Sequence, residues 1–108
     1  MQLGRPGKLE ERGTQQVAIP GIVGGLGPLA HIELEKCLLR SRQQRSEVLC
    51  DQDYPTWLVV SATQTPDRTR SFNQTGDCCI PALTEYAQLL QRMGSDFLLI
   101  PCNTAHAF

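Results

Sequence analysis

The segment Cys102-Asn103-Thr104-Ala105-His106 places a thiol, an amide, a hydroxyl and an imidazole directly behind the apolar run Phe97-Leu98-Leu99-Ile100. A thiol between a strand and the onset of a helix lies where unsatisfied backbone N–H groups and the helix dipole stabilise an anion. Such a field raises the thiolate fraction, which is the reactive form. The same donors, with the Asn103 amide and the Thr104 hydroxyl, can receive a substrate carboxylate. His106 falls on the adjoining turn, where it either tunes the thiol or makes a structural hydrogen bond. Read locally, the segment fits equally a small buried cysteine that finishes a strand.

Two further segments carry chemistry. Gly24-Gly25-Leu26-Gly27-Pro28 is a tight turn able to expose backbone amides. Gly25 to Ala30 also fits G-x-G-x-x-A, the dinucleotide fingerprint. That reading wants an acid at the end of the second strand, and the five residues following Ser61 hold none. Pro28 also lacks a donor where a pyrophosphate would sit, so a smaller anion suits the turn better. In Gln64-Thr65-Pro66-Asp67-Arg68-Thr69, Arg68 can clamp a carboxylate bidentately. The alternative is a surface Arg68 paired with its neighbour Asp67.

These residues need a scaffold, and the hydrophobic pattern supplies one. Val17 to Val23 forms a short apolar run whose strand centres on Gly21 to Val23, with Pro20 poorly suited to a central ladder. Pro28 opens a helix to about Gln44, with Leu29, Ile32, Leu34, Cys37 and Leu38 at roughly helical spacing. Arg45 to Pro55 reads as a loop, and Trp57 to Ser61 as a second buried strand. Residues 62–80 form a long connection of the kind that is functional or mobile. From Pro81, Leu83, Tyr86, Leu89, Leu90 and Met93 mark a helix that Gly94 ends. Phe97 to Ile100 is a third strand, after which Asn103 or Thr104 caps the onset of a third helix, cut off at Phe108. The order βαβαβ predicts an α/β fold with a parallel, flavodoxin-like sheet and helices on both faces. Its ligands bind beyond the carboxyl ends of the strands. Residues 1–16, polar and without an apolar period, read as a flexible extension, and 17–108 as an incomplete domain.

Composition narrows the class. The 108 residues suit one core, and 41% hydrophobic with 19% charged content is ordinary for a soluble globular chain. A formal net charge of −1 gives no electrostatic attraction to nucleic acid or anionic membrane. No apolar run approaches the roughly 20 residues of a membrane span. The odd set Cys37, Cys50, Cys78, Cys79 and Cys102 has no Cys-x-x-Cys spacing, which argues against structural zinc. The adjacent Cys78-Cys79 pair allows a strained vicinal disulfide or a soft-metal site, and its geometry is far from the usual bridge. Reduced thiols in the cytoplasm are the expectation.

Taken in order, the glycine turn, the Gln64–Thr69 segment and Pro101-Cys102-Asn103-Thr104-Ala105-His106 resemble the aspartate/glutamate racemase family, its aspartate racemase branch in particular. The resemblance runs from about Ile19 to Phe108. It implies two pseudo-symmetric α/β domains facing a cleft, no pyridoxal phosphate, no metal, and one catalytic cysteine from each domain. Cys102 is then an acid/base, Asn103 and Thr104 hold the α-carboxylate, and Arg68, with Gln64 nearby, takes the side-chain carboxylate. Ser61-Ala62-Thr63 departs from the asparagines many relatives carry after the second strand. The implied substrate is a small acidic amino acid, with no cofactor. A homodimer is one expected assembly of the full-length protein. Racemisation needs acid/base groups on both faces of Cα, so one cysteine makes this sequence an expected N-terminal fragment, inactive alone. The alternatives are a non-catalytic carboxylate-binding or interaction module on the same fold, and a nucleotide- or phosphate-binding domain. Related isomerases and decarboxylases also use a cysteine at this place.

Overall fold

A computed structural model describes residues 17–45 and 48–108. The extension expected over residues 1–16 lies outside the described residues. The sheet has three parallel strands, β1 (Pro20–Gly24), β2 (Leu58–Ser61) and β3 (Phe97–Leu99), in the order β2-β1-β3. Helix α1 (Pro28–Arg45) follows β1, the short α2 (Arg68–Phe72) and then α3 (Ile80–Met93) follow β2, and a 3-10 turn (Thr104–Ala107) follows β3. A second 3-10 turn (Asp51–Asp53) precedes β2.

Because β1 lies between the other two strands, two right-handed crossovers must put α1 and α3 on opposite faces. The side chains agree with this. A Cβ on Gly24 would meet the His31 ring of α1. Val23, pointing the other way, belongs to a cluster with Leu26, Ala62 and Leu90 of α3, against which Leu83 and Tyr86 of α3 and Leu58 and Val60 of β2 pack. Asp96 ties the strand starts together: its N–H donates to the Ile19 carbonyl and its Oδ2 accepts from the Ile19 N–H, each at 2.7 Å.

Several elements differ from the sequence expectation. β1 extends to Pro20, which is tolerable as the first residue of a strand. Trp57 stands before β2 and directs its indole N–H to Glu35 Oε1 at 3.0 Å, away from the ladder. On α1, Leu34 and Leu38 are half-buried while Leu29, Ile32 and Cys37 are exposed. The helix carries two apolar stripes, and His31 is its buried residue. The long connection contains α2. β3 ends at Leu99, one residue short of the expected Ile100. At the expected onset of the third helix stands the 3-10 turn Thr104–Ala107, and Asn103 makes no side-chain cap bond. α3 matches its pattern: Gly94 takes the left-handed conformation at φ 107° and its N–H closes on Leu90 and Gln91.

Candidate functional site

The carboxyl ends of the three strands form one rim. At the first, Gly25 has φ +84°, and a Cβ there would stand 2.6 Å from the Ala62 nitrogen and 2.7 Å from that of Thr63. Only glycine combines that backbone conformation with so close a neighbour. The chain's own packing therefore accounts for this glycine without a pyrophosphate. The Ala62 N–H donates to the Gly24 carbonyl at 2.8 Å, joining the first two strand ends. Leu26 plugs the turn into the core, with 3% of its surface exposed.

Cys102 comes from the third strand end. It is half-buried, with a free thiol, and packs against the Val23, Leu26, Ala62 and Leu90 cluster. Its N–H donates to the Ile100 carbonyl at 2.8 Å, which folds the strand exit back on itself. His106 Nε2 donates to the same carbonyl at 2.9 Å, so that nitrogen carries a proton and is engaged structurally. Behind Cys102 the chain enters the 3-10 turn Thr104–Ala107. Asn103 is exposed and Thr104 half-buried beside it.

Arg68 opens α2. Asp67 does not pair with it; its Oδ1 accepts from the Arg70 N–H at 2.8 Å and caps the helix. Arg68 Nη1 donates to the Thr65 and Pro66 carbonyls, each at 3.3 Å. These bonds hold the head by backbone and leave its charge without a carboxylate among the described residues. Its Nε is enclosed and unpartnered, as is Oγ1 of Thr65, a residue only 5% exposed. Gln64 is exposed. Arg70, the second arginine of α2, lines a cleft of about 240 Å³ with Pro66, Asp67, Gly76 and Asp77.

The fold thus brings Cys102 against Leu26 of the glycine turn and Ala62 at the exit of β2, and α2 packs on the 3-10 turn after Cys102. Two features of this arrangement were not read from the sequence. Ser71 Oγ accepts from the buried Cys79 N–H at 3.0 Å. Phe72 meets Phe108 edge to face, with centroids 6.3 Å apart and planes at 88°. Neither contact leaves a periodic signal in the sequence. The remaining cysteines carry free thiols: Cys37, Cys50 and Cys78 are exposed, and Cys79 is fully enclosed.

No protein-family model matches the chain. Among solved structures it is similar to an aspartate racemase from Picrophilus torridus, with TM-score 0.67 and 26% identity over 83% of this chain. The chain spans only 37% of the length of that racemase. No helix among the described residues is long and apolar enough to cross a membrane. The three-stranded parallel sheet with its flanking helices is a racemase-like α/β fold, and the chain resembles part of an aspartate racemase.

Proposed function

We propose that this chain supplies one face of the active site of a cytoplasmic, cofactor-independent racemase acting on aspartate or a close acidic amino acid. The observation that carries the reading is the meeting of the three strand ends, with Cys102 packed on Leu26 and Ala62. On this reading the Cys102 thiolate removes the Cα proton from one face. A thiol from the second, pseudo-symmetric domain returns a proton to the other face, and the roles reverse for the opposite enantiomer. Asn103 and Thr104 take the α-carboxylate. Arg68, held on two carbonyls and free of a carboxylate partner, takes the side-chain carboxylate with Gln64 beside it. The two groups on opposite faces need no rotation of the bound substrate, which is the value of holding it at both ends.

The test is incubation of the full-length protein with L-aspartate in deuterated water, following D-aspartate and deuterium at Cα. Both are expected to appear, and Cys102→Ser is expected to abolish both. No exchange with folded enzyme, or full activity in Cys102→Ser, defeats the proposal. A second reading, a non-catalytic carboxylate-binding module, is favoured by the presence of one rim thiol here, since Cys37, Cys50 and Cys78 are exposed elsewhere and Cys79 is enclosed. Calorimetric binding of aspartate by the full-length protein without any Cα exchange would select it.

A further inference from the structure

We infer that Phe72 and Phe108 are positioning residues, a clasp that fixes the Arg68 loop to the Cys102 loop and so sets the spacing of the two halves of the carboxylate site. The inference rests on the racemase reading for its substrate, but its mechanical part stands on the packing alone.

α2 is a single turn of five residues, Arg68–Phe72. A helix of that length has no stability of its own, because nucleation is unfavourable and propagation has hardly begun. Its position is therefore dictated by what holds it. At its start the Asp67 carboxylate caps the Arg70 N–H. Near its end the Ser71 hydroxyl accepts from the Cys79 N–H, which fixes it to the start of α3. Neither tie reaches Cys102. The segment carrying Cys102 passes into the 3-10 turn Thr104–Ala107, held by the His106 to Asn103 and Phe108 to Ala105 backbone bonds.

α2 nevertheless packs against that turn, and the ring contact lies at the far end of each. Phe72 is the last residue of α2 and Phe108 follows the 3-10 turn directly. Their perpendicular rings place the positive edge of one against the negative face of the other, a favourable arrangement. Both rings stay substantially exposed, at 59% and 45%. Core packing therefore does not explain their placement, while the edge-to-face contact does. Arg68 and Cys102–Thr104 stand at the opposite ends of these two short elements. Releasing the clasp frees each element to move about its remaining anchors and lets the two carboxylate-holding groups drift apart.

The test uses the 108-residue chain and three variants, Phe72→Ala, Phe108→Ala and the double, with Phe72→Tyr as the conservative control. Amide hydrogen exchange is read over residues 67–73, 102–108 and β1. Each single variant is expected to raise exchange about 3- to 10-fold in both loop segments, the factor implied by one aromatic pair. β1 should stay unchanged, the double variant should be no worse than a single one, and Phe72→Tyr should behave as wild type. In the full-length protein, L-aspartate affinity by calorimetry should fall by a similar factor in Phe72→Ala and return in Phe72→Tyr. Loosening confined to the mutated segment, additive effects in the double variant, or unchanged affinity with both loops loosened would overturn the clasp. If the full-length protein with both phenylalanines intact binds no aspartate, the substrate reading loses its support, and the exchange pattern still decides the clasp.

Discussion

Replacing Gly24 by alanine puts a methyl group 2.5 Å from His31 Cγ, 2.6 Å from Cδ2 and 2.8 Å from Cβ. Those atoms lie at the root of the imidazole, so a rotation at the far end of the side chain cannot clear them. The ring is also tethered, since Nδ1 stands 3.3 Å from Glu35 Oε2, and Glu35 Oε1 accepts from the Trp57 indole at 3.0 Å. Relief requires α1 to lift from β1 or the tether to break. Forcing a methyl into such a site costs about 1–3 kcal/mol. Gly24 does not use a left-handed φ, so the substitution recovers about 0.4–1 kcal/mol through the unfolded chain. The net expectation is a loss of about 1–2 kcal/mol, or a fall in Tm of roughly 5–15 °C for a domain near this size. Urea and thermal unfolding of the chain followed by circular dichroism measure it. His31→Ala alone should cost about 1–2 kcal/mol through lost packing and hydrogen bonding. In the double variant the space vacated by the ring receives the methyl group, so the two losses should not add. The expected coupling is at least about 1 kcal/mol. Strict additivity, or a Gly24→Ala chain as stable as the original, would refute the packing argument.

Gly25→Ala should be worse than Gly24→Ala by about 1–2 kcal/mol, because a left-handed φ is added to the clash. The obstructing atoms belong to the Ala62 and Thr63 backbone, so no side-chain deletion should restore stability in the same unfolding assay. Asp67→Ala should cost about 1 kcal/mol locally, speeding exchange of the Arg70 amide about fivefold, while Asp67→Asn should retain most of the protection. The Asp53 carboxyl is held below its ordinary value of 3.8 by the Leu49 N–H, then the Cys50 N–H and thiol, with the Arg42 charge adding to them. A depressed folded value means that its contribution is complete above 3.8 and is lost as pH falls through the folded value. Carboxyl NMR titration should place Asp53 below 3.8, and a midpoint at or above it would remove the hydrogen bonds from the account.

The strands were legible because each is a short apolar run bounded by turn residues. α3 was legible because its apolar side is single and its glycine stop is unambiguous. α1 was legible in extent but not in orientation. Leu29, Ile32 and Cys37 mimic a core face, whereas His31 takes the buried place under Gly24. A polar residue at that position gives no periodic signal, and only the tertiary approach of a glycine explains it. α2 escaped notice because five residues starting Arg68-Thr69-Arg70 carry no helical period. The turn after Cys102 was anticipated from its capping residues, but Asn103 makes no side-chain cap bond there. At the candidate site, the convergence of Cys102 with the glycine turn followed from topology. The carbonyl tethers of Arg68, the enclosed Thr65 hydroxyl and the Phe72–Phe108 contact could not be read from the sequence. They depend on how two loops fold back, which side-chain type alone does not specify.

The adjacent thiols Cys78 and Cys79 give the molecule an internal clock for its own openings. Cys78 is exposed, while Cys79 is fully enclosed and its N–H is held by Ser71. A thiol reagent meets the first at once and the second only after the junction of α2 and α3 has parted. Their covalent neighbourhoods are nearly the same, so the ratio of their labelling rates measures how often that junction opens. The measurement needs no substrate and no introduced probe.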